Sequence, residues 1–246
     1  MKGLSKAFGG IRAVSDCSID LKDYAITGLI GPNGSGKTTL FNLITGLIPP
    51  DRGEIYFQGR RIDGRSPHEV AGCGVIRTFQ LTRVFPKMTV LENMLLAPPN
   101  QRGEGLLNLW LSRKKMKEEE TKNEQKALGL IEFVGLSHLK AQFAENLSYG
   151  QQKLLELGRA LMTDPKIILL DEPTAGINPT MIRKMIELIQ GMKESGRTFF
   201  IIEHNMDVVI ELCDRVFVLG NGQNIAEGTP KEIQNDPRVI EAYLGT

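Results

Sequence analysis

Apolar positions along this chain of 246 residues follow two rhythms. Short, nearly unbroken apolar runs at 25–30, 167–170, 198–203 and 215–219 predict strands buried on both faces, as in a parallel sheet covered by helices. Leu40, Leu43, Ile44 and Leu47 recur at helical spacing, as do Leu154, Leu157 and Leu161. Two weaker strand candidates, 18–21 and 54–58, sit among Gly, Asp and Lys in a β-rich opening segment of 1–60, where the first strand is expected to be short. Asn221-Gly222 is a hairpin turn signal, and a helix is expected to start near Asn178-Pro179. From 66 to 160 the pattern is mostly helix and loop, with 113–120 (RKKMKEEE) as a solvated helical face. Just before it, 106–111 is apolar enough either to pack down or to meet a partner. Strands interleaved with helices predict an α/β fold with a largely parallel sheet interrupted by a helical insertion.

Two of these runs end in residues that a buried strand does not need. The first leads into Gly31-Pro32-Asn33-Gly34-Ser35-Gly36-Lys37-Thr38, which matches the phosphate-cradling pattern G-x-x-x-x-G-K-[ST]. Its glycines let the backbone turn tightly and aim N–H groups inward, and the following helix adds its free donors and positive dipole end. In that pattern Lys37 reaches the terminal phosphates of a nucleotide, and the Thr38 hydroxyl binds Mg²⁺. The second run ends in Asp171-Glu172. Carboxylates there are costly unless solvated, paired or bound to metal. Asp171 is a metal-holding candidate, with capping of the next helix as the alternative, and Glu172 is the candidate base that polarises an attacking water.

Composition adds exclusions. With 30 basic and 29 acidic residues the net charge is +1, so there is no global case for nucleic-acid binding. Cys17, Cys73 and Cys213 are odd in number and far apart, which suggests a reducing compartment and no disulfide framework. No apolar run approaches the ~18 residues of a membrane span, and Met1-Lys2-Gly3 does not open a signal peptide. A soluble chain is expected, with any membrane role arising through a partner.

Between the loop and the acidic pair lies Leu147-Ser148-Tyr149-Gly150-Gln151, ahead of an apolar helical pattern. Alone, Ser148 would be a helix cap. In this order the set resembles the signature of ATP-binding cassette (ABC) transporter ATPases, over essentially the whole chain. The resemblance implies a P-loop NTPase fold of the ABC-ATPase type: one nucleotide-binding domain, 1–246. It would comprise a core with a mixed or parallel sheet and an antiparallel β part from about 1–80 and 161–246, and a helical subdomain over about 81–160. Gln80 falls at the family's Q-loop glutamine, His204 at its switch histidine and Ala175-Gly176-Ile177-Asn178 at its D-loop. Tyr149, where many relatives have Gly, and Asn178, where Asp is common, depart from the usual pattern.

The resemblance also implies ligands and partners. ATP with Mg²⁺ would bind at 31–39, a stretch that ends in Thr39, with adenine near Phe8 and Val14; Phe8 could equally be core. Asp171, Thr38 and Gln80 would serve the metal, and Glu172, His204, Gln80 and Lys37 the hydrolysis. Two cassettes, identical or related, would pair head to tail, so that Ser148, Gly150 and Gln151 meet the partner's ATP. Arg77-Thr78-Phe79-Gln80, the following stretch to Pro86, and the ending from Glu227 to Gly245 resemble branched-chain amino-acid uptake ATPases of the LivG type. That branch implies integral-membrane permease subunits and, indirectly, a periplasmic or extracellular solute-binding protein. It places the chain peripherally on the cytoplasmic face of the cell (inner) membrane. Phe79, Leu81, Phe85 and Met88 would line the permease groove or pack internally. Urea or lipopolysaccharide as cargo, or a soluble non-transport ABC protein, are the alternatives.

Overall fold

The computed structural model describes residues 1–21, 25–78, 80, 82–98 and 113–244, excepting the side chains of 113–115. The chain opens with β1 (Lys2–Phe8), β2 (Ile11–Cys17), β3 (Ile26–Ile30) and α1 (Lys37–Ile44). β4 (Arg52–Glu54), β5 (Tyr56–Phe57), β6 (Arg60–Arg61), α2 (Pro67–Gly72) and β7 (Val75–Arg77) follow. Next come α3 (Val90–Leu95), α4 (Arg113–Phe133), α5 (Tyr149–Met162), β8 (Ile167–Asp171) and α6 (Pro179–Glu194). The last elements are β9 (Thr198–Ile202), α7 (Met206–Leu212), β10 (Arg215–Gly220), β11 (Gln223–Gly228), α8 (Pro230–Gln234) and α9 (Pro237–Leu244). The chain divides into two compact units, one of 1–80, 166–175 and 182–246, the other of 81–165 and 176–181.

The first unit is built on a six-stranded sheet in the order β11-β10-β3-β9-β8-β7. It is parallel from β10 to β7, and β11 joins antiparallel through the turn at Asn221-Gly222. Both turn residues have positive φ (47° and 78°), as the two-residue hairpin signal requires. β3 and β8 are buried along their whole length, which is why they read as continuous apolar runs. Phe41 of α1 packs on Phe200 of β9 with ring centroids 5.1 Å apart, in a core shared with Leu4, Val14, Leu29 and Leu169. A three-stranded antiparallel sheet, β2-β1-β4, and the β5–β6 ribbon complete the unit. The parallel order brings the carboxyl ends of β3, β9, β8 and β7 to one edge of the sheet, where α/β proteins place ligands.

Five expectations are corrected. Residues 18–21 form no strand; the strand is β2, set by a tight turn at Gly9-Gly10 that returns β1 upon itself. The first strand, at seven residues, is not short. The candidate 54–58 is divided between β4 and β5, because Ile55 turns into the core between them. β7 lies inside the stretch read as helix and loop; three residues are too few to show a period. Leu47 is exposed, since α1 stops at Ile44 and Gly46 (φ 70°) turns the chain away.

In the second unit, α3, α4 and α5 pack around Met94, Ala127, Ile131, Leu154, Leu157 and Leu161, all buried. Gly158 admits the Met94 side chain, which would lie 3.2 Å from any Cβ placed there. The run 113–120 opens α4, and its described residues 116–120 are intermediate to exposed, while 106–111 lies outside the described residues. Asn93, fully buried, accepts from Phe85 N and donates to the carbonyls of Phe85, Met88 and Thr89, fixing the loop that follows Leu81.

Candidate functional site

At the end of β3 the backbone enters a loop that only glycine permits at two points. A Cβ on Gly31 (φ 149°) would fall 2.1 Å from Leu219 O, and one on Gly36 (φ 101°) 2.2 Å from Ala13 O. The loop is fixed from outside by a relay in which Ser15 N donates to Gly222 O and Gly222 N donates to Ser35 O, at 2.8 and 3.0 Å. Inside it, buried Lys37 donates from Nζ to the carbonyls of Gly31 and Pro32, both at 2.9 Å, with Ser35 Oγ at 3.5 Å. Burial pushes the Lys37 pKa down, and the negative charges of Glu172 and Asp171 pull it back up.

The helix end beside this loop differs from others in the chain. α2, α3, α5 and α8 each carry a complete capping box, from Ser66, Thr89, Ser148 and Thr229. The N-cap of α1 is Gly36, and no side chain caps this helix. Its first N–H groups, on Lys37, Thr38 and Thr39, are therefore left by the side chains to meet an anion. The loop from Gly31 through Pro32, Asn33, Gly34 and Ser35 is thus positioned by β3, by the β10–β11 turn and by β2.

The acidic pair lies at the end of β8. Asp171, 4 % exposed, accepts from Arg77 Nη2 at 2.6 Å. The same guanidinium donates to Asn42 Oδ1 and lies over the Phe41 ring. Glu172 has φ 50°, a left-handed conformation rare for a residue with a side chain. That turn brings its carboxylate between two neighbours. Gln80 Nε2 donates to Oε2 at 2.8 Å, and His204 Nε2 lies 3.0 Å from Oε1, a bond the carboxylate can only accept when ionised. Gln80, Glu172 and His204, widely separated in the chain, therefore converge.

Sequence reasoning missed two members of this edge. Glu203 is buried, and its Oε1 accepts from Thr174 N and Thr174 Oγ1 while Oε2 accepts from His204 N and Asn205 N. It ties the turn after β8 to the turn after β9. Its signal was available: a carboxylate closing an apolar strand, as at Asp171. In the sequence Arg77 stands only as part of a motif, and nothing local points to a partner 94 residues away.

Phe8 is 48 % exposed, so it is not core, whereas Val14 is 1 % exposed. Val14 is turned into the core beside Leu4 and Leu29, and of the two only Phe8 offers surface. In the second unit Ser148 Oγ accepts from Gln151 N, and Gln151 Oε1 accepts from Ser148 N. Gly150 lies close to Met181, leaving little room for a side chain. Asn178 Oδ1 accepts from Met181 N at the start of α6. Phe85 is exposed beneath the Arg159 guanidinium and Met88 is partly buried, while Phe79 and Leu81 lie outside the described residues. No helix among the described residues is long and apolar enough to cross a membrane.

Comparison with known proteins places these features in context. The model of the ABC transporter family matches residues 14–175, and that of the branched-chain amino acid ATP-binding cassette transporter matches 223–246. A probable branched-chain amino acid transport ATP-binding protein LivG of Archaeoglobus fulgidus is 44 % identical, over 99 % of this chain and 94 % of its own. The high-affinity LivG protein of Salmonella typhimurium is 41 % identical, over 100 % and 96 %. A nucleotide-free ATP-binding cassette from an ABC transporter superposes with a TM-score of 0.86 at 42 % identity, covering 100 % of this chain and 98 % of that one. A dimeric, post-hydrolysis ATP-binding cassette bound to ADP and Pi gives 0.76 at 26 % identity, over 93 % and 97 %.

Proposed function

We propose, since this chain belongs to the ABC transporter ATPases and to their LivG-type branch, that it is the ATP-hydrolysing subunit of an importer of branched-chain amino acids. The observation that carries the proposed catalytic role is the convergence of Gln80 and His204 on the Glu172 carboxylate.

In this reading the triphosphate lies along residues 31–39, against the uncapped start of α1, and Lys37 exchanges the loop's carbonyls for phosphate oxygens. Phe8 offers an aromatic face to adenine. Thr38, Asp171 and the Gln80 carbonyl are hard oxygen donors of the kind Mg²⁺ prefers. Arg77 donates to Oδ2 of Asp171, and Gln80 Nε2 donates to Glu172, which keeps both residues beside the loop. Mg²⁺ held there would neutralise charge on the phosphates. Glu172 orients a water and takes its proton as the water oxygen bonds to the γ-phosphorus. The bond to the bridging oxygen breaks, and ADP leaves. His204 positions Glu172 and meets the γ-phosphate, while Arg77 and Glu203 hold the surrounding turns.

Ser148, Gly150 and Gln151 sit at the start of a 14-residue helix. In a head-to-tail pair they would complete the partner's nucleotide site. ATP would then close two cassettes, and phosphate release would reopen them, moving permease subunits at the cytoplasmic face of the membrane. A solute-binding protein would deliver cargo from the other side.

The test is a pair of variants. Lys37→Ala should lose ATP binding, and Glu172→Gln should bind ATP, form dimers in the ultracentrifuge and hydrolyse at least about a hundredfold more slowly. Normal turnover by Glu172→Gln would remove the base from this account. Uptake of labelled leucine by vesicles carrying the assembled transporter, measured against urea, tests the cargo.

A further inference from the structure

The C-terminal helix reaches the phosphate loop. Tyr243, in the last turn of α9, accepts through Oη from Gly31 N at 2.9 Å, across 212 residues of sequence. The last registered pairs of β3 are Leu29 with Ile202 and Ile30 with Val218, so Gly31 lies just beyond the ladder. Its N–H is the first of the loop to need an acceptor from elsewhere. The same residue's carbonyl accepts from Lys37 Nζ. Gly31 is therefore gripped on both sides, by the loop's own cation and by the tail.

The tail is anchored well enough to act at that point. Thr229 and Glu232 form a capping box at α8, while Ile233 and Val239 are buried. Burial pushes the Tyr243 pKa up, so the oxygen facing Gly31 stays a neutral phenol at physiological pH.

We infer that Tyr243 is a positioning residue for the phosphate loop, holding Gly31 in the conformation that receives the nucleotide. It touches no reacting atom. The inference rests on the reading of residues 31–38 as the nucleotide loop. It gives the C-terminal segment a task inside the nucleotide site of its own chain.

The experiment uses the full chain with ADP as probe, titrated calorimetrically, and ATP turnover measured at saturation. Tyr243→Phe keeps the ring and removes the acceptor. The Kd for ADP and the KM for ATP should both rise about fivefold, the size of one ordinary hydrogen bond, with kcat within about twofold of the parent. Leu244→Ser, on the exposed neighbour, should change none of these. The parent chain supplies a check that depends on no variant: the Gly31 amide should exchange with solvent at least about tenfold more slowly than its intrinsic rate. Unchanged ADP affinity in Tyr243→Phe, an equal effect from Leu244→Ser, or an unprotected Gly31 amide would each overturn the inference. If the parent chain failed to bind ADP at all, the nucleotide-loop reading would fall, and this inference with it. Binding equal in parent and variant would remove Tyr243 alone.

Discussion

Arg77 donates from Nη2 to Asp171 Oδ2 at 2.6 Å, and both side chains are 4 % exposed. The pair joins the ends of β7 and β8 at the edge where Glu172 emerges. Removing one partner of a buried pair leaves an uncompensated charge, which costs more than the pair itself contributes. Arg77→Met should therefore lower the unfolding free energy by about 3 kcal/mol in urea titrations. The double variant Arg77→Met/Asp171→Leu should regain most of that loss while remaining inactive. A single variant as stable as the parent would show that the pair is not buried as described.

Glu203 makes a second prediction. Its carboxylate accepts from four donors on Thr174, His204 and Asn205, and an amide in its place presents N–H to N–H on one side. Glu203→Gln should cost about 2 kcal/mol in thermal or urea unfolding. It should also slow hydrolysis, because His204 loses the anchor of its own backbone. Full activity together with reduced stability would confine Glu203 to the fold.

Gly34 and Gly36 separate conformational strain from collision. Both have positive φ, but a Cβ on Gly34 meets nothing within 4 Å, whereas one on Gly36 meets Ala13 O at 2.2 Å. Gly34→Ala should cost about 1 kcal/mol and retain nucleotide binding. Gly36→Ala should displace the loop and abolish binding, measured with a fluorescent nucleotide. Equal behaviour of the two would contradict the close approach of Ala13 O to Gly36.

The thiols offer a check on the core. Burial pushes Cys17 up to about 11 and Cys213 up to about 12, while Cys73 is only partly buried. Iodoacetamide at pH 8 should label Cys73 in the folded chain and the other two only after unfolding, as read by mass spectrometry.

The chemistry that was legible in the sequence is the chemistry written in contiguous residues. The loop at 31–38 and the pair Asp171-Glu172 follow apolar strands directly, so pattern and spacing suffice. Gln80 and His204 needed the family's order of motifs, because a lone glutamine or histidine carries no local signal. Arg77–Asp171 and Tyr243–Gly31 were hidden for a physical reason: each contact is made by sheet order or tail docking, neither of which leaves a local period. The error at 18–21 has a similar origin. Gly9-Gly10 fixes where the hairpin turns, and that displaced the strand into a stretch whose alternation is broken by Arg12 and Asp16.

Glu172, at φ 50°, occupies a backbone conformation that disfavours any side chain by about 1–2 kcal/mol. Glycine would relieve it most fully, and glycine has no carboxylate. Selection of random variants for heat resistance alone should therefore recover inert chains changed at this position, while selection for uptake should restore the glutamate. The residue on which turnover is proposed to depend is also one that keeps the molecule from its stability optimum.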